Sequence, residues 1–194
     1  MSQFGEFRVL APAEVESLLH AAATTQDRAV FAVAAFAGLR MGELRALRWA
    51  DVDFDLACIH VRGSYCHGRF DPPKSGRVRS VPLIPQAADP LQAIRFTGTA
   101  RPEELVFMSR LGRVIDDSRL RRRFYETLDR ARLRHMRFHD LRHSFATLAV
   151  QAFPLTDVAA FMGHADISTT MTYIHHMPRL DAAARLAEVV VGRQ

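Results

Sequence analysis

Lysine is almost missing from this chain: of its 26 basic side chains only Lys74 is a lysine, and all the others are arginine. A coding bias toward arginine is one account. The other is chemical, because a guanidinium stays charged at any accessible pH, whereas a lysine whose pKa is lowered can surrender a proton and serve as a general acid. Cysteine is nearly as scarce. Cys58 and Cys66 stand apart with no CxxC spacing, which excludes a disulfide framework or a thiolate zinc site and leaves two free thiols. No apolar run approaches the ~20 residues of a membrane span, and the opening MSQFGEFRVL has no basic-then-apolar signal pattern, so a cytoplasmic protein is expected. Repeats, low-complexity tracts and linkers are also lacking. Residues 1–194 therefore read as one domain, with 1–10 as a lead-in and 178–194 as a closing helix. A carboxylate cage is missing too: Asp51, Asp53 and Asp55 resemble the start of a calcium loop, but Leu56 and Arg62 occupy the places where that loop needs Gly and Glu. No metal is expected there.

The hydrophobic fraction of 48% with 24% charged residues suits a packed globular chain. Net charge +5 and a pI near 10.0 favour an anionic partner such as nucleic acid. Residues 11–22 carry Pro12 in a first turn and Val15, Leu18, Leu19 and Ala22 on one stripe, an amphipathic helix. Residues 27–37 are apolar nearly all round, as in a buried helix stopped by Gly38, and a short helix follows over 41–47. From Asp51 the pattern alternates. CIHV, SYCHGRF and VRSVPL predict a small three-stranded antiparallel sheet, with Lys74 in the turn between the second and third strands. Helices return near Pro85 and again from Asp117, where Leu120, Phe124 and Leu128 form a stripe beside the most basic stretch of the chain. The fold class is thus α+β, mainly helical.

The stretch from His139 to Tyr173 carries the chemistry. His139, Arg142 and His143 at i, i+3 and i+4 project from one helix face, which would be strongly cationic. TDVAAFMG reads as a short helix capped by Thr156 and stopped by Gly163, with His164 in the turn; a further short helix from Ser168 or Thr169 brings up Tyr173. Arginine forks can neutralise the non-bridging oxygens of a phosphodiester, for which Arg40 and Arg142 are candidates. With no metal site to activate water, a side chain must attack. Tyr173 lies nearest the histidine turn, and Lys74 could protonate a departing alkoxide.

GLRMGELRALRW, KSGRVRSVPL, HDLRHSFATL and MGHADISTTMTYIH, in that order, resemble the catalytic domain of the tyrosine recombinase (phage integrase) family over nearly the whole chain. The resemblance implies Arg40 and Arg142 as phosphate clamps, Lys74 as the lysine of a β-hairpin, His139 as the proton-handling histidine, His164 as a second histidine, Tyr173 as nucleophile and Glu43 as a supporting acid. It implies attack on a DNA phosphate to give a 3′-phosphotyrosyl enzyme, with no cofactor, metal or ATP. Arg45, Arg77, Arg121, Arg122, Arg123 and His143 are the candidates for contact with DNA. The expected partners are double-stranded DNA and, on it, a homotetramer of chains that are monomeric alone, with the closing helix docking on a neighbour. There is no membrane partner in this reading. Two departures stand out: family members normally carry an N-terminal core-binding domain, expected to be absent here because the sequence opens at the catalytic domain, either as a fragment or as a naturally short chain, and Phe153 and Pro154 replace a usual glycine turn. Rival readings are a helix-turn-helix DNA-binding protein, a catalytically silent recombinase remnant and a type IB topoisomerase.

Overall fold

The computed structural model describes residues 8–72, 78–96, 100–164 and 166–173. Lys74, Arg77 and the expected closing helix lie outside the described residues.

Local sequence explains where the helices begin. In α1 (Pro12–His20) the proline needs no amide partner in the first turn, and the Ala11 N–H donates to the Glu14 carboxylate at 2.8 Å. In α2 (Thr25–Phe36), Thr24 Oγ1 accepts the Asp27 N–H at 3.0 Å. Every residue from Ala29 to Phe36 is buried, so α2 is the central rod on which α1 and the later helices pack. Next come α3 (Met41–Ala46) and a single 3₁₀ turn at Trp49–Asp51.

The β region differs from the expected one in its membership. β1 (Val52–Asp53) and β2 (Cys58–Val61) are antiparallel, with Val52 opposite Ile59. SYCHGRF, expected as one strand, is a separate hairpin of β3 (Ser64–Cys66) and β4 (Arg69–Asp71). Its turn is His67–Gly68, with φ of 50° and 80°, and two successive left-handed residues reverse a chain within two residues. β5 (Arg79–Pro82) then returns beside β2, placing Val81 opposite Ile59. A three-stranded sheet exists, in the order β1-β2-β5, but β1 supplies the strand that SYCHGRF was expected to give. LVFM forms only isolated bridges, one of them Arg48 with Leu105.

α4 (Pro85–Arg95) packs on α2, as does α5 (Asp117–Arg130) through Leu120, Phe124 and Leu128. Phe31, Phe124 and Phe138 meet edge-on with centroids 5.3–6.2 Å apart, joining α2, α5 and the approach to α6. α6 (Asp140–Ala152), α7 (Leu155–Met162) and α8 (Ser168–Met171) complete the described chain. α7 starts one residue before the expected Thr156 cap, because Pro154 already turns the chain and Thr156 falls inside the first turn. Phe153 ends α6 in extended backbone and its ring meets Phe161 edge-on at 5.3 Å, so the glycine-less loop is held by an aromatic contact. Two apolar clusters result. The larger surrounds α2, and a smaller one holds Phe145, Ala146, Ala149, Val158, Met162 and Tyr173. Among the described residues no helix is long and apolar enough to cross a membrane.

Candidate active site

Arg142 is the most deeply buried cation among the described residues, with only 2% of its surface exposed. Its guanidinium donates to the carbonyl of Gly38, just past α2, and to that of Met162 at the end of α7. Both acceptors are helix-terminal carbonyls that no intrahelical amide satisfies, so their dipoles offset part of the cost of burying the guanidinium. Burial, and then the neighbouring Arg40, pull the Arg142 pKa down to about 9. It remains a cation at neutral pH.

Arg40 precedes α3 and keeps much of its side chain exposed. It donates to Glu43 Oε1 at 3.0 Å and to the carbonyl of Gly163 at 3.2 Å. Glu43 is buried, and a second arginine reaches it from the sheet: Arg79 of β5 grips both carboxylate oxygens at 2.9 and 2.7 Å while its Nε holds the Phe161 carbonyl at 2.8 Å. Burial alone would raise the Glu43 pKa. The hydrogen-bonded Arg79 charge, with Arg40, outweighs burial and holds the carboxyl below its ordinary value. Gly163 packs against this fork in left-handed backbone at φ 59°, where an added Cβ would sit 3.2 Å from Arg79 Cδ. α3, β5 and α7 are thereby pinned around one carboxylate.

The histidines are less charged than the spacing suggested. His139 caps α6 with part of its ring exposed; partial desolvation, then Arg142 and Arg40, lower its pKa. His143 is driven down to about 4, first by burial and then by His139. His164 also falls to about 4 through burial, Arg142 and Arg40, and its Nδ1 lies 2.8 Å from Oγ1 of the buried Thr170. The expected strongly cationic face is therefore one fixed charge, Arg142, flanked by imidazoles that are neutral at pH 7. A consequence for stability follows from the sign. Folded pKa values near 4, against an ordinary 6.5, mean that the unfolded chain takes up more protons between those limits. Melting temperature should hold above pH 6.5 and fall as pH drops from about 6.5 toward 4; a flat profile would show these rings to be solvated.

Tyr173 is 2% exposed, its ring in the smaller apolar cluster and its Oη 2.7 Å from His143 Nδ1. Burial raises the phenol above its ordinary pKa, and Arg142 and Arg40 oppose the rise.

The sequence model described as the phage integrase family matches residues 8–179. The chain belongs to that family. The XerC tyrosine recombinase of Xanthomonas campestris is 33% identical over 152 residues, covering 77% of this chain and 44% of that protein. A XerC-like tyrosine recombinase of Caldanaerobacter subterraneus is 28% identical over 204 residues, with 90% and 52% covered. This family member thus spans about half the length of the curated relatives it matches. Among solved structures, XerA recombinase superposes with a TM-score of 0.72 at 25% identity, covering 97% of this chain and 68% of that one. The Tn1549 transposon integrase, in complex with circular intermediate DNA, has the same fold with a TM-score of 0.74 at 22% identity, covering 96% and 68%.

In this family member the structure brings together Arg40, Glu43, His139, Arg142, His164 and Tyr173, six of the residues singled out in the sequence. Three DNA-contact candidates are placed otherwise. Arg45 is tied down inside the protein, its Nε donating to the Ile115 carbonyl at 2.7 Å and its guanidinium lying 4.9 Å over the Tyr65 ring. Arg123 is drawn onto the buried Asp27 at 2.8 Å, near the start of α2, whereas Gly38 and the site lie past its other end. His143 faces Tyr173. Arg121 and Arg122 are exposed and pair along their own helix with Asp117 and Glu126. Sequence reasoning missed Arg79, Thr170 and the two carbonyls holding Arg142. Arg79 stood in plain view beside SVPL, but its partner is 36 residues away, and only the return of β5 beside β2 joins them.

Proposed function

We propose that this chain is a site-specific DNA recombinase that cuts and rejoins double-stranded DNA through a 3′-phosphotyrosyl intermediate at Tyr173, without metal or ATP. The observation that carries the reading is Tyr173 itself: a phenol on a histidine nitrogen, in the electrostatic field of two arginines on separate helical segments. Tyr173 Oη bonds to phosphorus as its proton leaves. The bond to the 5′-oxygen breaks, and that oxygen departs with a proton from Lys74. Arg40 and Arg142 stabilise charge on the non-bridging oxygens. His164, with Nδ1 on Thr170, has Nε2 left to donate to the same phosphate. Attack by the free 5′-hydroxyl of a partner strand reverses these steps. DNA as substrate is supported by the family and by fold relatives solved on DNA, including XerH recombinase bound to its difH substrate. Assembly into a tetramer on DNA, from monomers in solution, belongs to the same proposal.

The test is a nicked suicide duplex in EDTA. A denaturation-resistant protein–DNA adduct is expected, and DNA binding without an adduct would reduce the chain to a silent remnant or a helix-turn-helix binder. Lys74 has its own test. Lys74→Arg keeps the charge but cannot readily give up a proton, so cleavage should slow by ~10²–10⁴. Sulfur in place of the bridging 5′-oxygen leaves without a proton and should restore most of that rate. Equal rescue of Arg142→Ala would instead make Lys74 a phosphate clamp.

A further inference from the structure

The resemblance implied His139 as the proton-handling histidine and His164 as a second site histidine, and His143 was a candidate contact to DNA. The geometry assigns it otherwise. The His143 ring stands on α6 with Nδ1 2.7 Å from Tyr173 Oη, the distance at which a phenolic O–H donates to an imidazole nitrogen. If Nδ1 accepts, the ring proton is on Nε2, and that nitrogen looks toward Asp140 Oδ1 at 3.9 Å, one turn earlier on the same helix. Asp140 is 3% exposed, and it is held in place by the Arg137 backbone amide at 2.9 Å and the Arg137 guanidinium at 2.9 Å. A fixed carboxylate at ion-pair distance from an imidazole that itself reaches an oxygen nucleophile is the order in which a base is placed and its charged form stabilised. His164 Nδ1 is engaged by Thr170, and His139 meets His143 edge-on with ring centroids 5.1 Å apart.

We propose that His143, oriented by Asp140, is the group that removes the phenolic proton of Tyr173 during strand cleavage and returns it during rejoining. The proposal rests on the reading of Tyr173 as nucleophile. As the Oη–phosphorus bond forms, the Oη–H pair becomes the attacking pair and the proton passes to His143 Nδ1. The bond from phosphorus to the 5′-oxygen breaks with its electrons on that oxygen, which takes its proton from Lys74. His143 is then an imidazolium beside Asp140. In rejoining, the 5′-hydroxyl attacks phosphorus as its proton passes back to Lys74, the bond from phosphorus to Tyr173 Oη breaks with its electrons on Oη, and His143 returns its proton to that oxygen. The groups facing His143 are His139, Asp140, Arg137, Arg142 and Tyr173. Burial first, and then His139, Arg137 and Arg142 against the opposing Asp140, leave it neutral and so able to accept a proton in the protein alone; a phosphate anion bound beside it shifts it toward the charged form.

His143→Asn tests this, since the amide oxygen can accept the Tyr173 hydrogen bond where Nδ1 stood but cannot take the proton. On a nicked suicide duplex, adduct formation should slow by ~10²–10⁴ while DNA affinity stays within a few fold. A ring-fluorinated tyrosine at position 173, a more acidic phenol, should recover much of that loss in His143→Asn and little in Arg142→Ala. A rate within about threefold of wild type, or a defect of the same size with both phenols, would overturn the assignment. His143→Gln is the second variant if the asparagine lowers the melting temperature. If neither folds, the wild-type protein decides: with His143 as acceptor the acid limb of the rate–pH profile stays in place on fluorination, and a limb that moves with the phenol overturns it. Tyr173→Phe on the same duplex separates the two readings. An adduct surviving there removes the nucleophile assignment, whereas its loss together with a full-speed His143→Asn removes only the base.

Discussion

Tyr173→Phe is expected to abolish the covalent protein–DNA adduct outright while DNA affinity stays within a few fold of wild type. The reason lies in what the substitution removes. The ring stays in its cluster with Phe145, Ala146, Val158 and Met162, so packing is retained. The phenolic oxygen disappears, and with it the bond to His143, a loss of about 1 kcal/mol in stability. Gel analysis after denaturation reads the adduct, and filter binding of the intact duplex reads affinity. An adduct persisting in the variant would place the nucleophile elsewhere.

Glu43→Gln should give the largest loss of stability. It preserves size but leaves the Arg79 and Arg40 guanidiniums facing each other with Arg142 nearby and no anion between them. Breaking a buried ion pair from one side costs about 3–5 kcal/mol, because the remaining charge stays desolvated. Urea unfolding would measure it. Glu43→Leu combined with Arg79→Leu should cost less than the sum of the two single changes, since no charge is then stranded. The pH dependence has a definite sign. The folded Glu43 pKa is depressed, so its contribution is present above the ordinary value of 4.5 and is lost as pH falls through the lower folded value. An additive double variant, or a Glu43→Gln protein as stable as wild type, would show that the carboxylate is not the anchor of the site.

The contrast between Arg40 and Arg79 shows what could be read without coordinates. Arg40, Glu43, Arg142 and Tyr173 sit in local patterns: a glycine followed by a helix start, or an i, i+3 pair on one helix. Local structure is what residue spacing reports. Arg79 acquires its meaning from a partner on α3, Thr170 from a histidine across a turn, and Arg123 from Asp27 at the far end of α2. These are facts of chain return, which spacing does not encode. The strand SYCHGRF failed for a different reason. Its residues favour extended backbone on both sides, and the reversal rests on His67 accepting a left-handed conformation that histidine adopts less readily than glycine or asparagine. The α2 helix was legible because every face is apolar, and a helix with no polar face has to be central.

The division of the apolar interior bears on how the protein opens. Tyr173 is packed in the small cluster between α6 and α7, while the large cluster is closed around α2 without it. Such a satellite can open and close as a cooperative unit at a free energy well below that of global unfolding. Amide hydrogen exchange should therefore show two tiers of protection, with the amides of α7 and α8 exchanging through a sub-global opening and those of α2 only when the whole domain unfolds. On that ordering, freeing the tyrosine from its packing leaves α2 folded and with it the Gly38 carbonyl that holds Arg142 from one side, whereas the second carbonyl, at Met162, moves with α7. The nucleophile can then change its surroundings without dissolving the domain that presents it.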